Sequence, residues 1–226
     1  IASDSRYSYV GVGDAYYGDY APGPYKAQWG IGPGPWPGQP TARNATVTVA
    51  AALRSRPEPG QWASVVGLGP IGHFICQTLH FMGLKVIGID ISANRIRTAK
   101  PFCTETVDST TQDPIAAVRE ITEGLGADRS YEVVGIEATL GAALQMSRVG
   151  GIVVLAGVFP HPVGSFDPEW IFRRDLTVIG GKGRPLVTAQ GEALAIDFIR
   201  RGLIHPEVAV SEFPRSQAAE AFAAQN

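Results

Sequence analysis

Short apolar runs alternate along this chain with stretches in which apolar residues recur at helical spacing. The apolar runs predict strands at 63–67, 85–89, 105–107, 131–135, 152–158 and 176–180. The intervening stretches predict helices near 71–82, 92–100, 114–123, 137–147 and 167–173. Such alternation is typical of βαβ units, whose helices cover both faces of a parallel sheet. We therefore predict an α/β fold with a doubly wound, parallel, six-stranded sheet.

The pattern changes at both ends of the chain. Residues 1–41 are rich in Gly, Pro and Tyr, which interrupt helices and strands, so we predict a loop-rich arm. An Ala-rich run then predicts a helix over roughly 43–54. Beyond the sheet we predict a helix, a short strand and a last helix (187–201, VAVSEF and RSQAAEAFAAQ). We divide the chain into this arm, a main domain at 42–184 and a C-terminal helical segment at 185–226.

The composition is that of an ordinary soluble globular protein, with 45% hydrophobic and 18% charged residues. The formal net charge of −2 leaves no basic surplus, so nucleic acid and membrane surfaces are not expected partners. Cys76 and Cys103 belong to no Cys/His cluster and indicate neither a disulfide framework nor a structural zinc site. We find no signal-peptide pattern and no apolar run long enough to span a membrane, and expect a reduced, cytoplasmic setting.

A glycine motif follows the first predicted strand. In VVGLGPIG, Gly67, Gly69 and Gly72 match GxGxxG, which serves a tight turn, close approach to a pyrophosphate and close helix packing. The helix that follows directs free N–H groups and partial positive charge at such a phosphate. A Gly-rich turn without a ligand and an S-adenosylmethionine site are the alternatives. The third glycine, with Pro70 and Ile71 before it, favours a dinucleotide in a Rossmann domain.

An aspartate, Asp90, follows the second predicted strand. A carboxylate at this place can accept hydrogen bonds from both ribose hydroxyls of an adenosine, but it repels a 2′-phosphate. The alternative is a solvated residue at a strand end. We therefore predict NAD, rather than NADP, as the cofactor.

Further stretches resemble a known family. They are DISANRIRTAK (90–100), YEVVGIEATLGAAL (131–144), VGGIVVLAGVFP (149–160), RRDLTVIGG (173–181) and EFPRSQAAEAF (212–222). Together with VVGLGPIG they resemble the medium-chain dehydrogenase/reductase family, in its zinc-type alcohol dehydrogenase branch. The resemblance implies hydride transfer between NAD and a small alcohol or carbonyl. It also implies that most of the family's N-terminal GroES-like catalytic domain is missing from this sequence.

The resemblance also implies a set of cofactor contacts. Asp90 would hold the adenosine ribose, Ile91 and Arg95 would flank the adenine, and Val134 would line the site. Backbone groups at Ala156, Gly157 and Val158 would receive the nicotinamide amide. From the residues alone, Arg95 is equally a solvated helix residue.

Candidate catalytic residues are few. Where the family has a Cys or Glu zinc ligand this sequence has Arg43 and Asn44, so we expect no catalytic zinc in this chain. His161 follows the strand on the nicotinamide side and is the best-placed acid or base, although an inert loop histidine is the alternative. Thr46 and Thr48 lie where the family's helix passes the nicotinamide.

These observations predict an NAD-dependent, alcohol dehydrogenase-like oxidoreductase. The alternative is a shortened family member that binds NAD(H) without turnover and acts as a sensor or scaffold. By the same resemblance the strand at 176–180 lies at the end of the sheet, where an open edge invites pairing with a second copy. We therefore expect a homodimer.

Overall fold

The computed structural model describes residues 48–164, 167–181, 185–205 and 217. Within them the chain forms a six-stranded sheet in which every pairing is parallel. The strands are β1 (Trp62–Val66), β2 (Lys85–Asp90), β3 (Glu105–Asp108), β4 (Ala127–Glu132), β5 (Ser147–Leu155) and β6 (Thr177–Gly180). Their order is β3-β2-β1-β4-β5-β6, which reverses direction between β1 and β4. The predicted doubly wound sheet is confirmed, and its ligand crevice is expected at this reversal.

Helices flank the strands. They are α1 (48–54), α2 (Pro70–Phe81), α3 (Ala93–Ala99), α4 (Pro114–Ile121), α5 (Glu137–Met146), α6 (Glu169–Arg174) and α7 (Pro185–Arg200). Proline begins both α2 and α4, at the position where its missing N–H costs no helical hydrogen bond. Asp113 caps α4 by accepting a hydrogen bond from Ile115 N at 3.0 Å. None of the described helices is long and apolar enough to cross a membrane.

Apolar side chains fill both faces of the sheet, because successive residues of a buried strand point to opposite sides. On β1, Val65 packs in one core with Ile75 of α2, and Val66 packs in another with Val118 of α4. Tyr131 is fully buried in the first core, where its hydroxyl lies 2.7 Å from Ser55 Oγ. Burial raises the pKa of this phenol well above its ordinary value, so Tyr131 is a structural residue rather than a proton donor.

The predicted bounds of the fourth strand were wrong. The pattern predicts 131–135, whereas β4 spans Ala127–Glu132. β4 begins with polar residues, and it buries Arg129 and Ser130 with their hydrogen-bonding groups satisfied. Their partners are the main-chain oxygens of Ser55 and Arg56 for Arg129, and the hydroxyls of Ser64 and Ser147 for Ser130.

The fifth strand was also misplaced, since the pattern predicts 152–158 and β5 ends at Leu155. The next two backbone N–H groups, of Ala156 and Gly157, both donate to Glu132 O, at 2.8 and 2.9 Å. Two donors on one carbonyl turn the chain away from the sheet. Residues 156–158 therefore form a loop at the carboxyl edge of the sheet.

Several predictions lie wholly or mainly outside the described residues. They concern the arm at 1–41, the first part of the helix at 43–54, and the segments VAVSEF and RSQAAEAFAAQ, apart from Gln217. The division into three regions and the homodimer stay predictions. β6 does lie at an end of the sheet, as the dimer prediction requires.

A hydrogen-bond network in α2 reaches α3 and the residues that follow α7. His73 is 2% exposed; its Nε2–H donates to Thr98 O at 3.1 Å, and its Nδ1 accepts from Gln77 Nε2 at 2.9 Å. The Gln77 amide also accepts from His205 N at 2.6 Å and donates to His205 O at 3.3 Å. Because Nδ1 accepts, this network requires the neutral imidazole.

This network predicts a pH dependence of stability. Burial lowers the pKa of His73 from its ordinary 6.5, so the unfolded chain binds the proton more readily than the folded one. The contribution of neutral His73 to stability is fully present above the pKa that this histidine has in the unfolded chain. It is lost as the pH falls toward the lower pKa of His73 in the folded chain. We expect the Tm to fall between about pH 7 and pH 5, and His73→Gln to reduce that slope. His80→Gln, on the exposed face of α2, is the control, and equal slopes in both variants would contradict the assignment.

Candidate cofactor site

The three glycines of the motif have different physical roles. Gly67 has φ +97°, and a Cβ there would lie 2.7 Å from Val134 Cγ2. A Cβ on Gly72 would overlap the Gly67 carbonyl oxygen. Gly69 has nothing within 4 Å of its Cβ position and forms the N-cap of α2 without a side-chain hydrogen bond. The fold therefore requires the first and third glycines, while the second leaves open space at the start of α2, where Pro70 and Ile71 lie.

Asp90 is anchored to this turn. Its Oδ2 accepts from Leu68 N at 2.6 Å, its Oδ1 accepts from Ser92 N at 2.8 Å, and its side chain is only 4% exposed. Each carboxylate oxygen keeps capacity for one further hydrogen bond. Arg95 lies beside it, with Nη1 3.9 Å from Oδ1. The carboxylate therefore orders the turn and holds acceptors at the same edge of the sheet.

Large apolar side chains lie exposed in the segments that follow β2, β4 and β5. Ile91 is 70% exposed, Ile136 50%, Val158 46% and Val134 44%. A Cβ on Gly135 would overlap Val158 O, so the loops after β4 and β5 touch. Exposed apolar groups at the carboxyl edge of a parallel sheet are typical of a ligand crevice. The sequence analysis missed Ile136, whose only signal was its place between a predicted strand and helix.

The sequence analysis also missed Glu132, the last residue of β4. Its side chain is fully buried, and Oε1 accepts three hydrogen bonds, from Val134 N at 2.9 Å, Gly135 N at 2.7 Å and Thr139 Oγ1 at 2.7 Å. Because the prediction placed Glu132 inside the strand at 131–135 rather than at its end, its role in shaping the loop was hidden.

The weak catalytic candidates are not brought together. His161 is exposed in the segment between β5 and α6, and no hydrogen bond pairs it with a carboxylate in the part of the chain that the structure describes. Thr48 is fully buried in α1. Thr46, Arg43 and Asn44 lie outside the described residues.

A metal site requires several ligating side chains in one cluster. No group of three His, Cys, Asp or Glu side chains in the described ranges could hold a metal ion. Cys76 is buried, and its contact with the Cys103 thiol together with burial raises its pKa well above the ordinary value, so it is held as a neutral thiol. The described residues therefore do not fit zinc.

Comparison with known proteins agrees with this geometry. A family model described as zinc-binding dehydrogenase matches residues 70–197, which is more than half of the 226 residues. This chain belongs to the zinc-binding dehydrogenase family. The matched segment runs from the start of α2 into α7 and includes β2 to β6, and the resemblance to the zinc-type alcohol dehydrogenases is confirmed.

Individual members of this dehydrogenase family are similar over about three quarters of the chain. An alcohol dehydrogenase of Geobacillus stearothermophilus is 31% identical over 176 residues, which are 74% of this chain and 48% of that protein. The solved alcohol dehydrogenase of Thermus sp. ATN1 superposes with a TM-score of 0.66 at 26% identity, over 75% of this chain and 50% of that one. A zinc-binding dehydrogenase of Sinorhizobium meliloti, solved bound to NADP, superposes with a TM-score of 0.66 at 25% identity, over 74% of this chain and 49% of that one. The chain thus spans about half the length of these relatives.

Proposed function

We propose that this chain binds NAD(H) at the carboxyl edge of its sheet and forms the cofactor-binding part of an alcohol dehydrogenase-like oxidoreductase. The observation that carries the proposal is the juxtaposition of Asp90 with the turn at Gly69. A buried carboxylate with free acceptor capacity lies one hydrogen bond from a turn that leaves open space at a helix N-terminus. These are the groups that an adenosine ribose and a pyrophosphate need.

Each part of the dinucleotide has residues to receive it. The pyrophosphate would lie over Gly69 and the first turn of α2, and Asp90 would accept from the ribose. Ile91 and Arg95 would flank the adenine. Val134, Val158 and Ile136 would cover the nicotinamide, with the backbone of Ala156, Gly157 and Val158 available to its amide.

The same residues favour NAD over NADP. A 2′-phosphate would lie beside the Asp90 carboxylate, and like charges at such a distance cost several kcal/mol. Arg95 offsets part of this repulsion, but its side chain is 47% exposed and its charge is screened by water. A relative of 25% identity was solved bound to NADP, so the proposed preference for NAD depends on Asp90 and its surroundings in this chain.

When bound, the nicotinamide would supply the carbon that accepts or donates the hydride. The chain's own part is to bind and orient that ring and to exclude water with Val134, Ile136 and Val158. Exchange with a small alcohol or carbonyl also needs a group that takes or gives the hydroxyl proton. His161 is the exposed candidate among the described residues.

A binding titration followed by an activity assay tests the proposal. NADH should bind with a sub-millimolar Kd, measured by enhancement of its fluorescence, because the site pairs a helix N-terminus with a ribose acceptor. S-adenosylmethionine, the rival ligand for a glycine turn, should not displace it. Turnover is then sought with a panel of small aldehydes and ketones. Binding without turnover would favour the sensor or scaffold role, and absence of binding would refute both.

A further inference from the structure

The second oxygen of the Glu132 carboxylate has no partner. Oε2 is buried and accepts no hydrogen bond within the described part of the chain, although Oε1 accepts three. It is the one buried side-chain oxygen or nitrogen among the described residues in that condition. An unpartnered buried polar atom is costly, and such atoms are retained where a function requires them.

The charge of this side chain also lacks a partner. None of the ion pairs formed by the described residues includes Glu132. The three donors on Oε1 fix the orientation of the carboxylate and leave Oε2 as its unpaired oxygen. A buried negative charge held in this way exerts a strong field, since little water screens it.

The free oxygen lies against the loop that receives the nicotinamide end. A Cβ on Gly157 would lie 2.6 Å from Oε2 and 2.5 Å from Gly135 N. Gly157 N donates to the Glu132 main-chain oxygen at 2.9 Å. The carboxylate is thus packed against both loops that would flank the nicotinamide.

We propose that Glu132 supplies the counter-charge for the oxidised nicotinamide ring and so sets the site's preference between NAD⁺ and NADH. The two forms differ at the ring by one positive charge, and a nearby carboxylate in partly buried surroundings would favour NAD⁺ by about tenfold or more. The inference rests on the proposed function, because it assigns a charge preference to the same site.

The test compares Kd values for NAD⁺ and NADH in the wild type and in Glu132→Gln. The amide keeps the shape of the side chain and an acceptor for the three donors, but removes the charge. We expect the affinity for NAD⁺ to fall about tenfold while that for NADH stays within about threefold. A tenfold change in this ratio shifts the two-electron potential of the bound cofactor by about 30 mV.

A second variant separates charge from loop geometry. In Gly157→Ala the new methyl group presses on Oε2 and on Gly135 N. Both dinucleotides should therefore lose affinity together, with the ratio of their Kd values kept within about threefold. Thermal melting of each variant shows that it is folded.

Four outcomes would overturn the inference. If Glu132→Gln weakens the binding of NAD⁺ and NADH equally, Glu132 only supports the loop. If neither Kd changes, Glu132 has no role in binding the cofactor. If the Gln variant does not fold, Glu132→Asp is measured instead, because it keeps the charge. The ratio of its Kd values for NAD⁺ and NADH must then stay within about threefold of the wild-type ratio, and a tenfold change would count against the proposal. A wild-type chain that binds neither dinucleotide would refute the proposed function itself, and this inference with it.

Discussion

Replacing Gly72 with alanine is expected to lower the free energy of unfolding by about 3 kcal/mol or more. The new Cβ would overlap the backbone oxygen of Gly67, which cannot rotate away as a side chain can. Either the first turn of α2 or the turn at Gly67–Gly69 must move, and Gly67 N is tied to Ile89 O at 2.8 Å. For a chain of this size the Tm, measured by circular dichroism, should drop by roughly 6–12 °C. Urea denaturation should show a matching decrease in the free energy of unfolding.

Gly69→Ala is the matched control, three positions earlier in the same motif. Its Cβ position is free of protein atoms and its φ of −62° suits alanine, so the Tm should stay within about 2 °C of the wild type. The methyl group would instead occupy the space proposed for the pyrophosphate and weaken NADH binding about tenfold. Equal melting temperatures for the two variants would show that the steric argument for Gly72 is wrong.

Asp90→Asn is expected to change both stability and cofactor preference. The amide offers one acceptor where the carboxylate offers two, so either Leu68 N or Ser92 N loses its partner, at about 1–3 kcal/mol. The loss of charge also removes the repulsion of a 2′-phosphate and frees Arg95 to pair with it. We expect NADH to bind about 10- to 100-fold more weakly and the ratio of NADPH to NADH affinity to rise at least about tenfold.

Fluorescence titration with each reduced cofactor measures this ratio. Asp108→Asn is the control, since Asp108 ends β3 as the register partner of Asp90 but is only half-buried. Its variant should keep the wild-type ratio within about threefold, because a charge that reaches solvent is screened by water. If Asp90→Asn leaves the NADPH to NADH ratio unchanged, the carboxylate does not select the cofactor.

The pattern of apolar residues was sufficient for the fold class because a strand buried on both faces leaves a continuous apolar run. β1 and β2 were placed within one residue of their observed bounds for this reason. β4 was not, because its first half is polar and is buried only through hydrogen bonds to Ser64, Ser147 and the main chain after α1. Partners so distant in sequence leave no local signal.

The candidate site divides in the same way. The glycine spacing and Asp90 were predictable, because each position needs a particular residue type for a local reason. Ile136 and Glu132 were not predictable, because the sequence does not show that this isoleucine is exposed or that this glutamate is buried. Their meaning depends on the loop after β5, which packs against the loop after β4 through Gly135 and Gly157.

By itself the sequence determined the doubly wound parallel sheet, the glycine turn and the carboxylate at the end of β2, because hydrophobic periodicity and backbone sterics act over a few neighbouring residues. Only the tertiary structure decided which polar groups are buried, where β4 and β5 end, and that the Glu132 carboxylate lies unpaired against the loops after β4 and β5. Those properties arise where strands that are far apart in the sequence pack side by side. A charged side chain is left unpaired only when this packing excludes both water and hydrogen-bond donors from it.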